Sequence, residues 1–212
     1  NIHRHPLNGR NFEYYSEDPL LSGKASAAEV KGLQSQRVGA TIKHFAANNQ
    51  ETARRNLPTN VSQRALREIY LRGFEIAVKE AKPWAIMTAY NQINGISPPQ
   101  NPELITTIAR GEWGFDGIVM TDWGGQGNAS YWEPQPGNNA YSSMVKAGTD
   151  LSMPSGSAED IIEGYQKGFL TMDEIDAAVA RVLKYVLKTP AFEGVQPSTD
   201  HNKYAKENEQ VV

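Results

Sequence analysis

The residues with the clearest chemical potential lie in one stretch, Gly117-Ile118-Val119-Met120-Thr121-Asp122-Trp123-Gly124-Gly125. Apolar or β-branched residues run straight into an aspartate, a tryptophan and two glycines. Such a run suits a strand buried on both faces, the usual situation in a parallel sheet. Asp122 then falls at the carboxyl end of that strand, where α/β folds place their chemistry. The alternative is an aspartate that closes a turn or caps a helix. Trp123 offers a flat apolar face beside the acid, and Gly124, Gly125 and Gly127 let a bulky ligand approach the backbone. A second set is basic: Lys43-His44 ends another apolar run, and Arg10 sits in a loop unusually rich in aromatics, Asn8 to Pro19. A Lys-His pair at a strand end is also commonly solvated or bonded to a nearby acid, and Arg10 could brace Glu17 and Asp18.

Alternating strands and helices are needed to position these groups. Leu20 to Leu33 reads as a helix and Val38 to Phe45 as a strand. Ser62 caps a long helix through Lys82, with Leu66, Ile69, Tyr70, Phe74, Ala77 and Val78 on its apolar face. Ala85 to Tyr90 is the next strand. Asn101 with Pro102 opens a helix that Gly114 ends. After the Asp122 strand come a loop from Gly124 to Gly137, a helix over Ala140 to Lys146, and a last strand over Thr149 to Pro154. Ser157 with Asp160, and Thr171 with Glu174, resemble capping boxes opening two final helices. The second carries Ile175, Ala178, Val179, Val182, Leu183, Val186 and Leu187 at helical spacing, and Pro190 stops it. From Ala89 to Asp122 is 33 residues and from Asp122 to Met153 is 31. A (β/α)8 barrel of about 250 residues averages roughly 31 per unit, and a doubly wound sheet would show similar numbers.

Composition narrows the function. The 212 residues carry 21 Lys+Arg against 24 Asp+Glu, a formal net charge of -3, so no general attraction to nucleic acid or an anionic membrane is expected. No apolar run approaches the ~20 residues of a membrane span. The absence of cysteine excludes disulfides and thiolate metal sites but leaves the compartment open. His3 and His5 alternate as a metal pair might be spaced on a strand, yet no third ligand is evident, so no metal is expected. Gly125-Gln126-Gly127 lacks the third glycine of a dinucleotide fingerprint, so no cofactor is expected either. Asn60-Val61-Ser62 and Asn128-Ala129-Ser130 are glycosylation sequons if the protein enters a secretory pathway. The arginines from Arg54 to Arg72 read as a solvated helix face.

Taken together, Asn8-Gly9-Arg10-Asn11-Phe12-Glu13 with Ser16-Glu17-Asp18-Pro19, Lys43-His44-Phe45, Met87-Thr88-Ala89-Tyr90-Asn91, Met120-Thr121-Asp122-Trp123, and Ala147-Gly148-Thr149-Asp150-Leu151-Ser152-Met153-Pro154 resemble glycoside hydrolase family 3 of the β-glucosidase type. The resemblance runs in the family's order from residue 1 to about 194. It implies an α/β fold, the second half of a (β/α)8 TIM-type barrel over residues 1–194, with residues 195–212 as a linker toward a further domain. It implies a retaining β-glucosidase in which Asp122 is the nucleophile. It makes Arg10, Lys43, His44, Met87 and Tyr90 substrate-binding residues, with Tyr90 near the nucleophile and Trp123 stacking on the aglycone-side sugar.

One departure separates relatives. Members acting on N-acetylglucosamine follow Lys-His with a glycine- and histidine-containing loop that supplies their acid/base. Here Phe45-Ala46-Ala47-Asn48-Asn49-Gln50-Glu51 stands in its place. The resemblance therefore favours a β-glucoside or oligosaccharide substrate and an acid/base from elsewhere. Its implied partners are the missing barrel half and an α/β sandwich domain, on the same or a companion chain. The alternatives are a β-xylosidase of the same family and a non-catalytic carbohydrate-binding chain derived from the fold. A lone half-barrel is expected neither to fold stably nor to turn over substrate, because its strand edges and apolar interior stay open.

Overall fold

The computed structural model describes residues 1–195; the linker expected over 195–212 lies, apart from Val195, outside the described residues. Strands β1 (Thr41–Phe45), β2 (Ala85–Thr88) and β3 (Ile118–Met120) form a parallel sheet in the order β1-β2-β3. Thr41 pairs with Ala85 and Ile42 with Ile86; Ala85, Ile86 and Met87 pair with Ile118, Val119 and Met120. Spatial order equals chain order, so successive crossovers step across the sheet in one direction. β1 starts at Thr41 rather than at Val38, because the Val38 N–H is still committed to Leu33 O at the end of the preceding helix.

That helix, α1 (Pro19–Ser35), begins where Asp18 accepts from the N–H groups of Leu20 and Leu21. It packs on α3 (Arg72–Ala81) through small residues. A Cβ on Gly23 would stand 2.8 Å from the Ile76 Cβ and 3.2 Å from the Gly73 Cα, so only glycine lets the two helices approach this closely.

The single helix expected from Ser62 to Lys82 is interrupted. Ser62 caps a short turn α2 (Gln63–Ala65), a π-helical turn spans Leu66–Tyr70, and α3 (Arg72–Ala81) follows. A π turn closes five residues on, here by Leu71 N–H to Leu66 O at 2.8 Å. Leu66 and Leu71 therefore share the buried face, and Ile69, expected there from a 3.6-residue period, is 40% exposed. The segment Glu103–Glu112 is π-helical as well; Asn101 Oδ1 accepts from Leu104 N–H at its start. Phe45 is the hub of the core, with the rings of Phe74 and Trp113 centred 5.0 and 5.9 Å away, edge-on.

Three α-helices and a closing 3-10 turn, Pro190–Glu193, complete the described chain. Asn139 and Ser142 form a reciprocal box at the start of α4 (Ala140–Ala147), and Thr171 with Glu174 does the same for α6 (Met172–Lys188). Ser157 caps α5 (Ala158–Gln166) by accepting from Asp160 N–H, without the return bond expected of a full box. α6 has the amphipathic period expected of it, but its apolar stripe is uncovered: Val179, Leu183, Val186 and Leu187 are 42–57% exposed.

The strand expected over Thr149 to Pro154 is reduced to one parallel bridge, Met120 with Leu151. Asp150 supplies the reason. Its carboxylate, fully buried, accepts from Val119 N–H at 2.8 Å, from Arg110 Nη2 at 2.7 Å and from Arg181 Nε at 2.6 Å. A side chain thus takes a ladder donor of β3, while Val119 O accepts from both Asp150 and Leu151 N–H. Further along, Thr121 Oγ1 accepts from Met153 N–H at 2.8 Å in place of a backbone oxygen. The segment still follows β3, held by side chains as much as by a ladder.

Breaking a buried ion pair on one side leaves an uncompensated charge and costs about 3–5 kcal/mol. Asp150→Ala should destabilise the folded protein by roughly that amount in a urea titration, since it strands Arg110 inside. A loss below ~1 kcal/mol, the range of exposed pairs, would show that Arg110 reaches water without Asp150.

Candidate active site

The carboxyl ends of the three strands carry the chemistry. His44, near the end of β1, is 1% exposed. Its Nε2 faces Arg10 Nη2 at 3.0 Å and its Nδ1 faces the Tyr14 hydroxyl at 3.2 Å. A guanidinium only donates, so Nε2 is the acceptor and the ring proton belongs on Nδ1, donating to Tyr14. Burial, with the charges of Arg10 and Lys43 adding to it, lowers the His44 pKa to about 3, against a partial offset from Asp122 and Glu13. His44 is therefore a neutral ring at ordinary pH.

Glu13 links the basic groups. It pairs with Arg10 Nε through one oxygen and with Lys43 Nζ at 2.9 Å through the other. Burial alone would push its carboxyl up; bonds to Arg10 and Lys43 outweigh that and hold it below the usual carboxylate range. Arg10 accordingly braces Glu13 and His44, rather than Glu17 and Asp18. Asp18 is occupied with the α1 cap. His3 is structural in the same loop, its Nε2 within 2.9 Å of Asn11 O and 2.7 Å of Tyr14 O.

Asp122 follows β3 by two residues, in a tight turn closed by Gly125 N–H to Asp122 O at 2.9 Å. Gly124 takes a φ of +61° there, a left-handed conformation suited to glycine. Trp123 N–H donates to Asp122 Oδ1 at 2.7 Å, and Oδ2 lies 3.6 Å from His44 Nε2. The side chain is 14% exposed, so one oxygen is fixed and the carboxylate remains reachable. The Trp123 indole stands out beside it, the residue being 52% exposed.

Tyr90, just past β2, donates its hydroxyl to Trp123 O at 2.6 Å. Burial and then the neighbouring Asp122 charge raise its pKa, so the phenol stays a donor. Met87 is half-buried on β2, in register with Met120. Asn91 crosses between loops, donating through Nδ2 to Ala46 O and Ala47 O at 3.2 Å and to Thr59 Oγ1 at 3.1 Å.

Arg10, Lys43, His44, Tyr90, Asp122 and Trp123 thus form one connected cluster, with Met87 on the strand beneath. Two arginines assigned to a helix face belong here instead. Arg54 and Arg55 lie in the loop before α2, with their guanidinium carbons 4.5 and 4.0 Å from the centroid of the Tyr90 ring. The signal was present in the sequence: both precede the Ser62 cap by seven or more residues, too early for the helix it starts. Glu51, bonded to Asn48 Nδ2 at 2.8 Å and Arg54 Nη1 at 2.5 Å, joins the same loop.

Fold and cluster define the class: an α/β chain with an enzyme-type site at the carboxyl ends of its parallel strands. Residues 1–185 match the glycosyl hydrolase family 3 N-terminal domain, and the chain belongs to that family. It is 45% identical over 196 residues to beta-glucosidase B of Emericella nidulans, covering 91% of this chain and 22% of that one. It is 45% identical over 192 residues to an exo-alpha-(1->6)-L-arabinopyranosidase of Bifidobacterium longum, covering 90% and 24%. Among solved structures, beta-glucosidase 3B of Thermotoga neapolitana in complex with glucose superimposes with a TM-score of 0.83 at 47% identity, over 97% of this chain and 29% of that one. The chain thus spans under a third of the length of these relatives.

The neutral histidine has a measurable consequence. Its folded pKa, about 3, lies below the ordinary 6.5, so below pH 6.5 the unfolded chain takes up a proton that the folded chain declines. The resulting stability is complete above that pH and is lost as pH falls toward 3. Imidazole nitrogen NMR should show the Nδ1–H tautomer unchanged down to about pH 4, and Arg10→Met should raise the midpoint. A His44 midpoint above about 5 would refute the arrangement of charges described.

Proposed function

We propose that this chain is the nucleophile-bearing part of a retaining β-glucosidase. The observation that carries the proposal is the setting of Asp122: one carboxylate oxygen tied to Trp123 N–H, the other turned toward His44 within a cluster of Arg10 and Lys43. In this reading Asp122 attacks the anomeric carbon as a second carboxyl group protonates the leaving oxygen. Water then hydrolyses the glycosyl ester with that second group acting as base. Arg10, Lys43 and His44 grip ring hydroxyls, Lys43 and Arg10 as donors and His44 Nε2 as an acceptor, and contacts that tighten in the transition state accelerate the reaction. Tyr90 and Met87 wall the pocket, and Trp123 supports the aglycone side.

The acid/base belongs outside this chain. Glu13 is spent on Arg10 and Lys43, and Glu51 on Asn48 and Arg54. A carboxyl held below its usual range by two cations is a poor proton donor. A half-barrel completed by other segments fits the one-directional strand order, the uncovered stripe of α6 and the outer edge of β1, where among the described residues no strand pairs and the Asn1 amino group donates to Lys43 O at 3.1 Å. Beside that edge lies a cavity of about 200 Å³ walled by Ile2, Val30, Ala40, Ile42 and Phe74. The spacing of about one unit per 31 residues supports the same architecture.

The name of the Bifidobacterium longum relative supports a second reading, an α-L-arabinopyranosidase built on the same site. A nitrophenyl glycoside panel with glucose, xylose and L-arabinopyranose separates the two sugars and the β-xyloside. For the core claim, Asp122→Asn in the protein with its complementary segments should lower turnover by about three orders of magnitude or more, because the covalent step is lost. A 2-fluoro-glucoside should leave its label on the Asp122 peptide in the parent protein. Retention of more than about a tenth of the rate, or a label on another residue, would give the nucleophile's role elsewhere.

A further inference from the structure

We propose that Arg55 is a positioning residue for the nucleophile, holding the Asp122 turn and Tyr90 in fixed relation. The proposal rests on the reading of Asp122 as nucleophile. Arg55 makes a fork onto two successive carbonyls of the turn, Nη1 to Gly124 O at 2.8 Å and Nη2 to Trp123 O at 3.2 Å. Its guanidinium carbon lies 4.0 Å from the centroid of the Tyr90 ring, and the Tyr90 hydroxyl donates to the same Trp123 O at 2.6 Å. Arg55, Tyr90 and the Trp123 peptide therefore close a ring of contacts. Across the Trp123 Cα, in the preceding peptide unit, Trp123 N–H donates to Asp122 Oδ1.

Geometry makes the fork consequential. Trp123 joins two peptide planes: the one that carries its N–H orients the Asp122 carboxylate, and the next, whose oxygen Arg55 and Tyr90 hold, limits rotation of the Trp123 backbone between them. The neighbouring Gly124 has no side chain to resist rotation and takes a φ of +61°. The turn's backbone is also tethered by Gly124 N–H to Met153 O at 2.8 Å and Gly125 N–H to Asp122 O at 2.9 Å. A turn with a glycine at its hinge depends on contacts to its carbonyls for definition, and a planar guanidinium meets two of them at once where an ammonium meets one. Arg54 does not duplicate this role; its Nη1 is bonded to Glu51. Arg55 makes no bond to the Asp122 carboxylate itself, so it acts through the peptide.

The test uses the complete enzyme carrying this chain, with Arg55→Met, Arg55→Lys and Asp122→Asn. Arg55→Met keeps much of the stem and removes the fork; its kcat, and its rate of covalent labelling by a 2-fluoro-glucosyl fluoride, should fall about tenfold while KM changes less than about threefold. Arg55→Lys should recover only part of the loss, and ethylguanidinium added to Arg55→Met should restore rate where ethylammonium does not. A merely structural role would lower the amount of folded protein without this split or rescue. Arg55→Met turnover within about twofold of the parent, or full recovery in Arg55→Lys, overturns the proposal. If Arg55→Met does not fold, the labelling rate of Arg55→Lys decides: equal to the parent, it overturns the fork; slowed, it supports it. Asp122→Asn separates the two levels. Full activity there defeats the assignment of the nucleophile, whereas an inactive Asp122→Asn beside a parent-like Arg55→Met defeats only the role given to Arg55.

Discussion

The strand that leads into Asp122 is held by a buried carboxylate with three partners. Asp150 joins β3 through Val119 N–H, the π-helical segment through Arg110, and α6 through Arg181. Arg110 extends the network to Gly117 O at 3.0 Å and Gly148 O at 2.9 Å, on either side of β3. Ions removed from water are tolerated only when their partners are nearly complete, and here the partners are the strand that leads into Asp122 and the elements flanking it. The desolvation of Asp150 is offset only if β3, the loop after α4 and α6 all sit in register. The charge network therefore fixes the strand whose extension is the Asp122 turn.

The active end applies the same rule in a second way. Arg10 and Lys43 are positive, and Glu13 satisfies both without becoming the reactive acid. His44 is kept neutral between them, so Asp122 faces a polar ring rather than a second ion. A site that binds hydroxyls, as proposed above for this one, gains from this. Neutral and cationic hydrogen-bonding groups are set at fixed positions, and little reorganisation is required when a polyol replaces water.

Much of this was legible in the residues. Strand ends announced Asp122 and the Lys43-His44 pair, and caps at Ser62, Asn101 and Thr171 lie where the polar residues in the sequence place them. What escaped was non-local. Glu13 gains its meaning from Lys43, thirty residues later, and Arg55 from carbonyls 68 and 69 positions away. Periodicity also misplaced Ile69, because a π turn changes the spacing it relies on without a marker in residue type. Thr149 to Pro154 looked like a strand by composition, yet Asp150 and Thr121 bond with side chains where a ladder was expected.

The exposed indole of Trp123 has an optical consequence. The chain holds four tryptophans. Trp84 packs on Tyr185, Trp113 on Phe45 and Trp132 on Phe169, each partly shielded, while Trp123 alone among them is open to solvent. Its emission lies farthest to the red of the four, and a collisional quencher in water reaches it first. A molecule laid across that ring displaces water and shields it, shifting this one component of the spectrum toward the blue. The protein thus carries an intrinsic fluorophore beside Asp122.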